Sequence, residues 1–422
     1  MRSQHRPKNY NPFDYIVIGF VMKVFATMAS LFVSYQIADA FFGVLCWYFI
    51  IKGVMMIPEK MRLPFGKYYQ LLFRFFLFLC IVMIIRGYLI DYPYQWISLS
   101  GMINYHLFMP TYIICYLMPL VTLIPIKYFN FRLILHFAVF FSFATFFLAF
   151  IYRNQILTAS TLGAIGLEDE SVDLVKGQDV TLFSVFSFVP LLYTYLPSRK
   201  WKICMFGLFV TLLLMVLGGR RGATMLFSIL ILATLYFYTQ SQTKLAKWSF
   251  RIVLPVLMTT LGYYLINSSI MSFILERGME DNRTGVEVAM LEQMSSFDKI
   301  FGQGLNGRYY YPLLLDDHLN GWRYGIETGF YNLVLKGGYL LAYVYILLLA
   351  VPAFKGMFKS RNLFCKAGGF YIVYSLFCLW PFGHLSFDLS FFFIWMMVAC
   401  CMNKEILGMT DFEIKKKFFY NL

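Results

Sequence analysis

Apolar runs of about 20 residues recur along the whole chain, and this constrains its fold more than any other property. A helix of that length crosses the hydrocarbon core of a bilayer while satisfying its own backbone hydrogen bonds. Twelve such runs are predicted, at 14–35, 39–57, 68–89, 105–126, 131–151, 180–197, 201–218, 222–240, 249–270, 326–352, 365–380 and 384–402. The sixth carries Pro190 in its middle and is the weakest pattern. With 60% hydrophobic and only 14% charged residues, a soluble chain of 422 residues has no means of hiding this much apolar surface. The expected fold class is therefore all-α: a polytopic integral membrane protein forming one domain over 1–422, with two long loops at about 152–179 and 271–325. The larger loop falls between the ninth and tenth spans. Neither an internal repeat nor a Gly/Ser- or Pro-rich linker divides the chain.

Charge orients this arrangement. With both termini placed in the cytoplasm, the segments on that side hold more than half of the 36 lysines and arginines, and the acidic residues show the opposite bias. The net charge of +14 is thus a topology signal spread over many short loops, which argues against a nucleic-acid partner. Arg2, Arg6 and Lys8 precede the first apolar run, and Ala38-Asp39-Ala40 resembles a signal cleavage site. That run is too long for a typical signal core and contains Lys23, so it is expected to stay as an anchor. All eight cysteines fall in spans or on the cytoplasmic side, without a CxxC pair, so neither a disulfide framework nor a thiolate metal site is expected.

Both long loops then face outward, together with a tight turn, Leu217-Gly218-Gly219-Arg220-Arg221-Gly222. Two guanidinium groups flanked by glycines at a membrane surface suit an anionic group on a lipid or substrate. In the larger loop, Val286, Ala289, Met290, Met294 and Phe297 recur near a helical period opposite Glu287, Glu292 and Ser295, which predicts an amphipathic helix from Arg283 to Phe297. A glycine-rich turn follows, Phe301-Gly302-Gln303-Gly304-Leu305-Asn306-Gly307, whose amides are candidates for meeting a phosphate or sugar oxygen. It neither follows a strand nor opens a dinucleotide-binding unit.

The Arg-Arg-Gly turn, Arg283 leading an amphipathic helix into Gly302-x-Gly304, and Glu327-Thr-Gly-Phe-Tyr-Asn-Leu-Val-Leu-Lys-Gly337-Gly338 opening the next span together resemble the bacterial O-antigen polymerase (Wzy) and O-antigen ligase superfamily. The resemblance covers the whole chain in topology and about 120 residues in motif. It implies a membrane glycosyltransferase of lipopolysaccharide or capsule biosynthesis, working at the periplasmic face of the bacterial inner membrane. Its donors are glycans on undecaprenyl pyrophosphate, and a flippase and a chain-length regulator are its implied partners. No cofactor or metal is implied. Arg220, Arg221 and Arg283 become candidates for holding the departing pyrophosphate, since guanidinium forks pair with phosphate oxygens bidentately. Where ligases commonly carry histidine this chain has Glu327, a candidate to take the proton of the attacking sugar hydroxyl, with His318 nine residues upstream as a second candidate. The carboxylate favours polymerisation of repeat units over ligation to lipid A core. Gly302, Gly304, Arg308 and Arg323 complete the set as weaker loop contacts.

Each residue also has a plainer role. Arg220 and Arg221 suit interfacial anchors, as do Arg86 and Arg153 at the outer ends of spans. Arg283 suits a solvated loop position, and Glu327 a helix cap. Glu168-Asp169-Glu170 with Asp173 suits a solvated acidic loop better than a magnesium or calcium site. A lipid-linked oligosaccharide flippase or other transporter is the alternative of another class. The gathering of the distinctive polar residues on one face, and the asymmetry of the loops, favour the enzyme.

Overall fold

A computed structural model of the protein describes residues 11–58, 63–89, 114–156, 180–218, 220–240, 248, 282–312, 321–380, 383 and 385–419. Seven helices among these are long and apolar enough to cross a membrane. Six of them are α1 (Pro12–Ser30), α2 (Tyr35–Met55), α3 (Lys67–Leu89), α5 (Arg132–Ile151), α6 (Ser198–Leu217) and α7 (Arg221–Gln240). The seventh, α10 (Gly329–Lys359), is the longest at 31 residues. Between these lie α4 (Ile114–Leu117), α8 (Asn282–Gln293) and α9 (Ser296–Phe301); α11 (Leu363–Cys378), α12 (Leu389–Met402), α13 (Lys404–Gly408) and α14 (Asp411–Phe418) end the described chain. A two-stranded antiparallel hairpin, β1 (Tyr309–Tyr310) and β2 (Trp322–Arg323), pairs Tyr309 with Arg323 and Tyr310 with Trp322.

Local sequence sets several helix starts. Asn11 and Asp14 form a reciprocal capping box on either side of Pro12, whose missing amide costs nothing in a first turn. Asn362 caps α11 by accepting from the Cys365 amide at 2.8 Å, and Asp388 caps α12 by accepting from Phe391 at the same distance. Nearly every residue of α12 is buried, as befits a helix apolar all round, so it runs through the middle of the bundle. α10 crosses beside it, with Tyr345 and Trp395 meeting edge to face at 6.3 Å.

Not every predicted span takes a long regular helix. Residues 180–197 form two short 3₁₀ helices, Leu182–Phe186 and Val189–Tyr195, because Pro190 lacks the amide that an α-helical ladder needs. The fourth run is described from residue 114 onward, as α4 and the 3₁₀ helix Met118–Leu123. The eleventh and twelfth are the shorter apolar helices α11 and α12. The ninth, 249–270, residues 157–179 of the first loop with its acidic cluster, and His318 lie outside the described residues.

The bundle has two distinct ends. At one, here the terminal end, Asn11 donates to Tyr128 O at 2.6 Å, Phe131 N to Phe418 O at 3.0 Å, and Asn362 Nδ2 to Ile406 O at 2.8 Å. At the other, the loop end, Asn306 Nδ2 donates to Gly87 O at 3.1 Å, Phe330 N to Leu379 O at 3.1 Å, and Tyr152 OH to Leu31 O at 3.3 Å. α6 starts beside Tyr195 at the terminal end, where Trp201 stacks on Tyr238 of α7 at 4.8 Å. The α6–α7 turn therefore lies at the loop end.

Candidate functional site at the loop end

The site is organised by a break in α10. Gly338 adopts φ 73° and ψ 176° inside that helix, so the carbonyls one turn earlier lose the amides that would normally bond them. The glycine-rich turn supplies replacements: Gln303 N donates to Leu335 O and Gly304 N to Lys336 O, each at 2.9 Å. Contact is close enough to exclude a side chain. A Cβ on Gly302, whose φ is 73°, would lie 2.2 Å from Lys336 O, and one on Gly338 would lie 2.1 Å from Ile300 O.

This corrects one expectation. The amides of Gly302, Gly304 and Leu305 are not open to a phosphate; they donate to the carbonyls of Asp298, Lys336 and Met83. The turn is a buried joint between α3, α9 and α10. Lys336, itself buried, threads its ammonium group back to the carbonyls of Gly307 (3.0 Å) and Tyr324, tying the turn to the strand that leads into α10.

The predicted amphipathic helix is present but ends early. α8 buries Val286 and Met290 as the period requires, then stops at Gln293; Ser295 and Asp298 form a new capping box that starts α9. Phe297 consequently leaves the apolar stripe and is 59% exposed, with the Arg86 guanidinium 4.7 Å above its ring. Arg86 also pairs with Asp298, both side chains being largely buried. Gln293 behaves as an extra strand residue, accepting from Tyr310 N at 2.7 Å and donating to Tyr310 O at 2.9 Å.

Arg308, Arg323 and Glu327 are brought together around the hairpin. Arg308 lies 4.1 Å over the Trp322 ring and donates to the Tyr324 hydroxyl at 3.2 Å. Tyr309 donates to Gly325 O at 3.1 Å. Burial pushes its phenol up to about 12, with Arg323 nearby pulling it down and Glu327 and Tyr311 adding to the rise. Glu327 is exposed, one residue before the helix cap. The cap position itself is Thr328, whose hydroxyl donates to Glu287 at 2.5 Å and makes no bond to the helix amides. One turn further on, the Asn332 Oδ1 atom is buried and accepts no hydrogen bond from the described residues.

Arg220 is exposed in the α6–α7 turn, and Arg221 is the first residue of α7. Arg283 is the second residue of α8. All three thus occupy the loop end that also holds the hairpin. Among the described residues no three His, Cys, Asp or Glu side chains converge as a metal site. Sequence reasoning missed Arg86 and Lys336 as parts of this architecture; the one available signal was a cation inside an apolar run, which calls for a partner.

No protein-family model matches the chain. Searches of curated proteins and of solved structures likewise return no match.

Proposed function

We propose that this protein is a membrane glycosyltransferase that polymerises lipid-linked oligosaccharide repeat units of an O-antigen or capsular polysaccharide. The observation that carries the reading is the gathering of Arg308, Arg323 and Glu327 around one aromatic hairpin, at the end of the bundle where the Arg220–Arg221 turn also lies. In this reaction a sugar hydroxyl oxygen attacks the anomeric carbon of the donor glycan. The bond from that carbon to the pyrophosphate oxygen breaks, and the lipid pyrophosphate leaves as an anion. Glu327, exposed at the mouth of α10, takes the hydroxyl proton. Arginines take the developing phosphate charge, and Arg220, Arg221 and Arg283 are assigned to that role. The exposed Tyr310 ring offers an apolar face for a sugar ring, beside Trp322, one face of which Arg308 covers.

The same reading places the protein in a bacterial inner membrane, with the loop end periplasmic and both termini cytoplasmic, as the lysine and arginine distribution favours. Undecaprenyl pyrophosphate donors, a flippase and a chain-length regulator are its proposed partners.

The purified protein supplied with lipid-linked repeat units alone is expected to produce longer lipid-linked chains. Glu327→Gln should lower that rate by about a hundredfold or more at unchanged membrane insertion, and Arg221→Lys or Arg283→Lys, which keep charge but lose the planar fork, should lower it as well. Product appearing only after addition of lipid A core would establish ligation instead, and substrate crossing the bilayer without chain growth would establish transport.

A further inference from the structure

At the terminal end the described residues finish in a helix, α14, whose outward face has no counterpart among the described residues of the bundle. α14 buries Ile414 and Phe418 completely and is fixed through Asp411, which accepts from Tyr195 OH at 2.5 Å and from Leu363 N at 2.7 Å. On the opposite face Phe412 stands 77% exposed, with Lys415 and Lys416 exposed beside it at helical spacing. A phenyl ring left in water is unfavourable, so this face calls for an apolar partner.

The charges of the segment say what else that partner carries. Asp411 is held by the bundle, Glu413 by its capping box with Thr410, and Lys417 by Glu405 at 3.2 Å. The capping bonds keep the Glu413 carboxyl below its usual range, so it stays an anion engaged at the helix start. The side chains of Lys415 and Lys416 have neither an ion pair nor a hydrogen bond among the described residues. Arg361 and Lys404 are exposed on the adjoining segments, and Arg361 N donates to Leu407 O at 3.0 Å. The result is a patch of unpaired cations around one exposed aromatic ring, next to helices that cross a bilayer.

We infer that α14 is an interfacial anchor: Phe412 enters the acyl region of the leaflet while Lys415 and Lys416 hold anionic lipid headgroups. The inference is independent of the glycosyl-transfer reading. A protein partner of acidic surface is the competing occupant, and it would place Phe412 away from lipid chains.

A nitroxide on Phe412→Cys in the full-length protein, reconstituted in vesicles containing phosphatidylglycerol, tests the placement. Collisions with oxygen, which concentrates in hydrocarbon, should exceed those with a water-soluble nickel complex. In vesicles of phosphatidylcholine alone, or with Lys415→Glu and Lys416→Glu added, the ratio should shift severalfold toward nickel. Nickel dominance in the anionic vesicles, or a ratio indifferent to lipid charge, would overturn the inference. A second measurement leaves Phe412 intact: the Lys415→Gln, Lys416→Gln variant should retain severalfold less phosphatidylglycerol than wild type after detergent exchange, and equal retention would overturn the assignment to anionic lipid.

Discussion

Gly304 gives its amide to the carbonyl of Lys336 at 2.9 Å, across the point where α10 is interrupted by Gly338. Two glycine motifs more than 30 residues apart in sequence are thus halves of one joint. The turn needs glycine to come close, and the helix needs glycine to open and expose its carbonyls.

That reciprocity makes Gly338→Ala and Gly302→Ala severe. Both positions have φ near 73° with ψ of 171° and 176°, a region essentially reserved for glycine that costs an L-residue about 1–3 kcal/mol, and at both the added carbon would lie within 2.2 Å of a backbone oxygen. The variants should lose about 3 kcal/mol or more of stability as the joint is forced apart. Thermal unfolding in detergent reads this directly; a midpoint unchanged from wild type would show that the break does not depend on glycine.

Tyr309 gives the hairpin a dependence on alkaline pH. Its phenol titrates near 12 in the folded chain against 10.0 unfolded, so the folded state favours the neutral form. The stabilisation is complete below pH 10 and is lost as pH rises from about 10 to about 12. Tyr309→Phe has no proton to lose there. Its unfolding midpoint should fall less steeply than that of wild type between pH 10 and 11, and parallel curves would remove Tyr309 as a contributor.

The sequence makes the elements of this fold legible more readily than their meetings. Six of the apolar runs reappear as single membrane-length helices within a few residues, and the tenth extends to the 31 residues of α10. The weakness at Pro190 is visible as well, and there the chain takes 3₁₀ turns. Arg308, Arg323 and Glu327 stand out as charged residues in the loop before a span. What is not legible is the commitment of the glycine turn to a helix break, because the turn has the composition of a ligand loop and its partner carbonyls carry no side-chain signature. Nor does any local pattern pair Arg86 with Asp298, 212 residues away. The amphipathic period also carries Phe297 into the wrong helix, since the Ser295–Asp298 capping box outweighs continuation of α8.

Lys336 links the turn to the approach of α10 through the carbonyls of Gly307 and Tyr324. Lys336→Met keeps the apolar stem and removes both bonds. Each such hydrogen bond contributes about 0.5–1.5 kcal/mol, so amides in 303–312 and 321–327 should exchange about tenfold faster, with the spans unaffected. Exchange unchanged in both stretches would mean that the ammonium group does not hold them together.

Arg86 and Asp298 form an ion pair between the end of α3 and the first turn of α9, with side-chain exposures of 13% and 15%. Little water screens a pair this enclosed, so removing one partner strands the other. Arg86→Met or Asp298→Asn alone should cost about 2–4 kcal/mol. The double variant should cost less than the sum of the two, by a coupling of about 1–3 kcal/mol, because the second change no longer leaves an unpaired charge. The loss should also be selective. α9 carries the turn that enters the break in α10, so Arg86→Met should loosen the hairpin, read as faster tryptic cleavage at Arg308 or Arg323, before the bundle unfolds. Strict additivity in the cycle would show that the two residues stabilise their helices separately, and the route from α3 to the hairpin would then run through Leu305 and Asn306, which donate to the carbonyls of Met83 at 3.0 Å and Gly87 at 3.1 Å.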